Sequence, residues 1–82
     1  MPKTNADQQS LMRISQAAQA AGVSKQTLEY YVMIGLVKPL RSQGRSGRFF
    51  DAALVSRVRL IRRLNESGYT LRAIRETYLS KR

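Results

Sequence analysis

The sequence predicts a mainly α domain built from four helices and one β-hairpin. Three observations predict it. Residues 18–36, A-Q-A-A-G-V-S-K-Q-T-L-E-Y-Y-V-M-I-G-L, hold the end of an Ala-rich helix, a Gly-centred break, a Ser-capped second helix and a Gly that stops it. Residues 36–50 lose helical periodicity, with short apolar pairs around a Ser, Gln, Gly and Arg centre. Two later stretches, 52–67 and 71–79, return to helical spacing behind the cap residues Asp51 and Thr70.

Length and composition bound what such a fold can do. The 82 residues make one domain. A chain this short buries only a little over about 60% of its unfolded surface, so a large enclosed substrate cavity is excluded. The apolar share, 43%, is that of an ordinary globular protein. There are 15 Lys and Arg against 5 Asp and Glu, a formal charge of +10. So large a charge repels itself unless an anion offsets it. Nucleic acid is the leading partner, an anionic membrane surface the second, and a merely soluble basic surface the bland reading.

The chain has no Cys and no His. Disulfides, thiolate and imidazole metal sites, and Ser–His or Cys–His nucleophiles are therefore excluded. Five scattered acids offer no carboxylate metal site either, so the expectation is no metal, no cofactor and no enzyme. A Cys-free chain fits a reducing cytoplasm. No apolar run approaches the roughly 20 residues of a membrane span, and the N-terminus lacks a signal-peptide layout.

Taken in order, residues 1–12 read as a flexible arm and 13–82 as the folded domain. Ser15 is the expected N-cap of the first helix, where Ala17, Ala18, Ala20 and Ala21 favour helix and allow close packing. Gly22 supplies the turn and Val23 a buried apolar residue within it. Ser24 caps the second helix. Leu28, Tyr31 and Val32 form its inward stripe, which leaves Lys25, Gln26, Glu29, Tyr30 and Met33 outward. Gly35 ends it.

The hairpin over 36–50 has its expected tip near residues 44–47, and Pro39 marks its first strand as an edge. Lys38, Arg41, Arg45 and Arg48 give it four positive charges and no negative one. Edge-strand cations discourage sheet aggregation, which accounts for one or two of them. Four beside a helix-turn-helix read as a DNA-binding wing. The third helix buries Leu54, Val55, Val58, Ile61 and Leu64. Arg59 and Arg63 share its far face, with Arg57 and Arg62 nearer the boundary, either meeting phosphates or snorkelling in solvent. In the fourth, Leu71, Ile74 and Tyr78 take apolar spacing. Phe49, Phe50 and Tyr69 are assigned to the core rather than to base stacking.

With these residues in place, the sequence resembles the DNA-binding domain of the MerR family of bacterial transcription regulators. The motif that carries the likeness is I-S-Q-A-A-Q-A-A-G-V-S-K-Q-T-L-E-Y-Y-V-M-I-G-L-V-K-P, residues 14–39, followed by R-L-I-R-R-L-N-E-S-G-Y-T-L-R-A-I-R-E, residues 59–76. The resemblance implies a winged helix-turn-helix whose second helix enters the major groove while the wing follows the neighbouring backbone or minor groove. Carried over, Lys25, Gln26 and Tyr30 would face DNA behind the Ser24 cap. Tyr31 would be partly buried with its hydroxyl near a phosphate, Arg45 and Arg48 would be wing contacts, and the turn before the fourth helix a second wing. Two departures stand out. Family members usually carry Arg before the Tyr pair, and this chain has Glu29, which either accepts from cytosine N4 or pairs with a wing arginine. Positions 32 and 33, often charged in the family, are Val32 and Met33. The long dimerising helix and effector domain of typical members have no counterpart in these 82 residues, so no small-molecule effector is expected within them.

The leading expectation is a cytoplasmic, sequence-specific regulator of transcription that binds double-stranded DNA, with self-association on DNA left open. The DNA-binding set is Ser24, Lys25, Gln26, Glu29, Tyr30, Tyr31, Lys38, Arg41, Arg45 and Arg48. An architectural recombination factor of the excisionase type shares this small fold and is the second expectation. A protein-binding adaptor, supported by an exposed Val32–Met33 pair, is the third. Catalysis finds no paired carboxylates and no phosphate loop.

Overall fold

A computed structural model of the chain describes residues 11–79, with side chains through residue 77. The elements in order are α1 (Ile14–Ala21), α2 (Lys25–Met33), β1 (Leu40–Ser42), β2 (Arg45–Phe49), α3 (Ala52–Glu66) and α4 (Leu71–Ile74), which continues as a π-helical turn over Arg75–Leu79. Among the described residues this is the expected winged helix-turn-helix of four helices and a two-stranded antiparallel hairpin. Residues 1–10 of the expected arm lie outside the described residues, as do the Tyr78 side chain and residues 80–82.

Caps set the helix boundaries. The Ser24 hydroxyl accepts from the Thr27 amide at 3.0 Å, the Asp51 carboxylate from Leu54 at 2.9 Å, and the Thr70 hydroxyl from Ala73 at 3.0 Å. Each satisfies a helix N–H that has no partner within its own helix. The stops also share one chemistry. Gly22 and Val23 donate back to Gln19 and Ala18, Gly35 and Leu36 to Val32 and Tyr31, and Gly68 and Tyr69 to Asn65 and Leu64. These are three Schellman turns, each a left-handed glycine followed by an apolar or aromatic residue. At Gly22, where φ is 77°, the turn sets the angle between α1 and α2.

The core lies where α1, α2 and α3 meet, closed by α4 and the base of the hairpin. Ala17, Ala18 and Ala21 let α1 approach Leu28 and Tyr31 of α2 and Val55, Val58 and Ile61 of α3. Ile74, Leu36, Val37 and Phe50 complete it. Among the described residues no polar or charged side chain is buried. Arginines tie the helices together from outside. Arg59 of α3 donates to the Ala20 carbonyl at the end of α1 (2.9 Å), and Arg75 to the Ile34 carbonyl at the end of α2 (2.8 Å). Cations suit these positions, because the last carbonyls of a helix lack intrahelical partners and carry partial negative charge.

Several expectations are corrected. The N-cap of α1 is Arg13, without a side-chain capping bond, and Ser15 lies inside the helix. The cause is long range. Met12 exchanges two 2.8 Å backbone hydrogen bonds with Phe50, which fixes the chain one residue before the helix begins. Met12, placed with the arm, is thus paired with the end of the hairpin. The hairpin turn is Gln43–Gly44, because Ser42 pairs with Arg45, and Gly47 lies within β2 at an irregularity in the register. Tyr69 is 45% exposed, since its backbone rather than its ring closes the turn after α3. Val32 is half-buried against the core, so of the expected pair Met33 alone is exposed, at 72%. Arg59 adds a role to those foreseen for it, that of a cap on α1. The last helix shifts to π hydrogen bonding at Arg75, which apolar spacing over one turn does not distinguish from α.

Removing the Asp51 cap is expected to cost about 0.5–2 kcal/mol in urea unfolding when Asp51 becomes Ala, and markedly less when it becomes Asn, which keeps the accepting oxygen. Equal losses for the two variants would mean that the charge, not the cap, is what matters.

Candidate nucleic-acid interface

The exposed side of α2 and the hairpin form one surface. The Ser24 cap starts α2, and its hydroxyl also donates to Thr27 Oγ1 at 2.9 Å. Lys25 and Gln26 follow in the exposed first turn, and Glu29 and Tyr30 continue the same exposed face one turn on. Tyr30 is 47% exposed. Leu28 and Tyr31 hold the opposite side of α2 in the core, so the rotation of the helix is fixed by burial.

The hairpin supplies cations. Lys38, Arg41, Arg45 and Arg48 are all exposed, with no acid between residues 36 and 50. Arg48 reaches toward α2, its Nη2 3.9 Å from Glu29 Oε2. At that distance and half exposed, the pair adds little stability. It does bring hairpin and helix side by side, and it accounts for the carboxylate in this basic surface. Arg45 turns back along β2, its guanidinium 4.7 Å from the centre of the Phe49 ring.

Arg13 joins this group, and sequence reasoning missed it. Its guanidinium lies 4.5 Å from the same ring centre, and its Nη1 donates to the Ser46 carbonyl at 3.1 Å. Phe49 is therefore buried at the base of the hairpin beneath cations. The one signal in the sequence was an arginine immediately before a helix, a position that favours Ser, Thr, Asp or Asn.

Of the expected site residues, Lys25, Gln26, Glu29, Tyr30, Lys38, Arg41, Arg45 and Arg48 are exposed, and Ser24 works as a cap. Tyr31 differs in being buried. Burial raises its phenol above the ordinary tyrosine range, the Arg62 guanidinium opposes the rise, and the Glu66 carboxylate adds to it. Among the described residues no cluster of His, Cys, Asp and Glu could hold a metal ion, and no helix is long and apolar enough to cross a membrane.

A family profile described as MerR HTH family regulatory protein matches residues 12–81. The mercuric resistance operon regulatory protein of Bacillus cereus is 34% identical over 62 residues, 76% of this chain and 47% of that protein. Nodulation protein NolA of Bradyrhizobium elkanii is 38% identical over 64 residues, 78% of this chain and 29% of NolA. Among solved structures, the transcription regulator PbrR691 from Ralstonia metallidurans CH34, crystallised in complex with lead(II), matches with a TM-score of 0.70 and 35% identity over 79% of this chain and 50% of that one. This chain spans half or less of the length of these relatives.

Tyr31 sets an alkaline limit. With its pKa raised in the fold, the unfolded chain loses the phenolic proton first as pH rises past the ordinary value near 10. Stability should therefore fall with pH across the window above that value and be unaffected by this group below it. Urea midpoints measured against pH for the wild type and Tyr31→Phe should diverge there, with the steeper loss in the wild type. Parallel curves would refute the assignment.

Proposed function

The chain belongs to the MerR helix-turn-helix family of regulatory proteins, and from that membership we propose that it is the double-stranded-DNA-binding part of a transcriptional regulator. The observation that carries the reading is the continuous exposed surface of α2 and the basic hairpin, joined at Arg48 and Glu29. Helix α2 enters the major groove. Lys25 and Gln26 in its first turn read base edges, with Tyr30 beside them. Glu29 keeps a carboxylate oxygen for cytosine N4 while Arg48 offsets its repulsion of phosphate. Lys38, Arg41, Arg45 and Arg48 meet the backbone, which contributes affinity and register but no sequence information. Ser24 and buried Tyr31 hold α2 at its start and from beneath. The turn over residues 68–70 approaches DNA as a second, smaller wing. The setting is the bacterial cytoplasm, and no membrane takes part.

With these four phosphate contacts, log affinity for duplex DNA should fall against log salt with a slope of about −3.5 to −4. Replacing both Arg45 and Arg48 by Ala should make that slope shallower by about 2. A flat salt response in the wild type would overturn the reading. Selection of sites from random duplexes decides the assembly. An inverted-repeat consensus means two-fold pairing on DNA, whereas tandem direct repeats with bending favour an architectural factor of the excisionase type.

A further inference from the structure

We propose that Arg13 is the positioning residue of the wing, holding Arg45 and the hairpin turn in place through the Ser46 carbonyl and the Phe49 ring. The inference rests on the hairpin being the DNA-binding wing, but its structural core can be tested without DNA.

Arg13 is the wrong residue for its place in the helix. It occupies the N-cap of α1 in extended geometry, makes no capping bond, and brings a cation to the positive end of the helix. A residue that violates a local rule is retained for something outside the helix. Its side chain shows what. The guanidinium donates to Ser46, 33 positions away, and stacks over Phe49. The hairpin is shaped to receive it. Gly47 has a φ of 108°, and a Cβ built there would fall on the Arg13 guanidinium. The space left by the missing side chain is the space Arg13 fills.

The hairpin needs such a hold. Two strands of three and five residues with an irregular register do not stay folded in water unaided. The Met12–Phe50 bridge secures only the base. Arg13 grips β2 further out, at Ser46, close to the Gln43–Gly44 turn. Phe49 carries two guanidinium groups, Arg13 and Arg45. The π-cloud of the ring attracts each of them, while their like charges repel each other. Arg45 is thereby held to one orientation, ready for an anion that relieves the repulsion.

The test uses amide hydrogen exchange on the free chain, then DNA affinity. Arg13→Ser supplies a proper N-cap, so the thermal midpoint should hold or rise. Exchange at the amides of residues 44–47 should nonetheless become about tenfold faster. Arg13→Lys should speed exchange at residues 44–47 as Arg13→Ser does, because an ammonium keeps the charge but loses the planar fork that joins carbonyl and ring. On duplex DNA, Arg13→Ser should cost about tenfold in affinity in the wild type and little more once Arg45 is Ala, since the two act as one unit. Unchanged exchange at residues 44–47 overturns the proposal whatever the DNA result. So does an affinity loss that adds fully to that of Arg45→Ala, or one that Lys restores, since either makes Arg13 a direct phosphate contact. If the wild-type chain binds no DNA, the functional reading fails, and the exchange data on the free chain still decide whether Arg13 holds the hairpin.

Discussion

A two-stranded hairpin is marginal in water, and the surface proposed to meet DNA depends on removing that weakness. At the base of the hairpin the chain does so with a single residue pair. Met12 and Phe50 exchange both backbone hydrogen bonds, adding a one-residue third strand beside β2. Because Phe50 is also fully buried, the bridge joins the hairpin to the helical core. The bridge fixes where α1 starts, and it brings Arg13 against the hairpin. Helix start, wing base and the cation cluster over Phe49 follow from one contact.

The +10 charge is not all aimed at a partner. Arg59 and Arg75 cap the ends of α1 and α2, and Arg62 and Arg72 pair with Glu66 and Glu76 one turn along their own helices. Arg13 braces the hairpin. These groups keep spare donors, but their positions are explained by the fold. Among the described residues, the cations that make no side-chain hydrogen bond, ion pair or ring contact within the fold are Lys25 on α2, Lys38 and Arg41 in the hairpin segment, and Arg57 and Arg63 on α3. Arg45 and Arg48 stand between the two groups, held by Phe49 and Glu29 yet exposed. Net charge read by itself thus overstates how many residues are left to engage an anionic partner.

Glu29 shows how context changes the meaning of a residue. In isolation, a carboxylate on the exposed face of α2 argues against phosphate nearby. Beside Arg48 it becomes a link between the two parts of the surface, with an acceptor left over. Tyr31 makes the opposite point. Next to Tyr30 in sequence, it is buried because helical geometry turns adjacent residues roughly 100° apart, so one tyrosine faces solvent and the other the core.

The sequence by itself determined what neighbouring residues decide. Ser24, Asp51 and Thr70 cap their helices, Gly22, Gly35 and Gly68 stop three of them, and apolar spacing identifies the buried faces of α2 and α3. All of these act within about four or five residues, so local chemistry suffices to read them. The exposed set on α2 and the four hairpin cations were legible for the same reason. The tertiary structure decided the rest. Arg13 rather than Ser15 begins α1, the turn sits at Gln43–Gly44, Glu29 meets Arg48, and arginines reach Ser46, Ala20 and Ile34 across 33, 39 and 41 positions. A long flexible side chain carries no record of which distant carbonyl it will find. That choice exists only once packing of the alanine face of α1 against α2 and α3 has brought the carbonyls within reach.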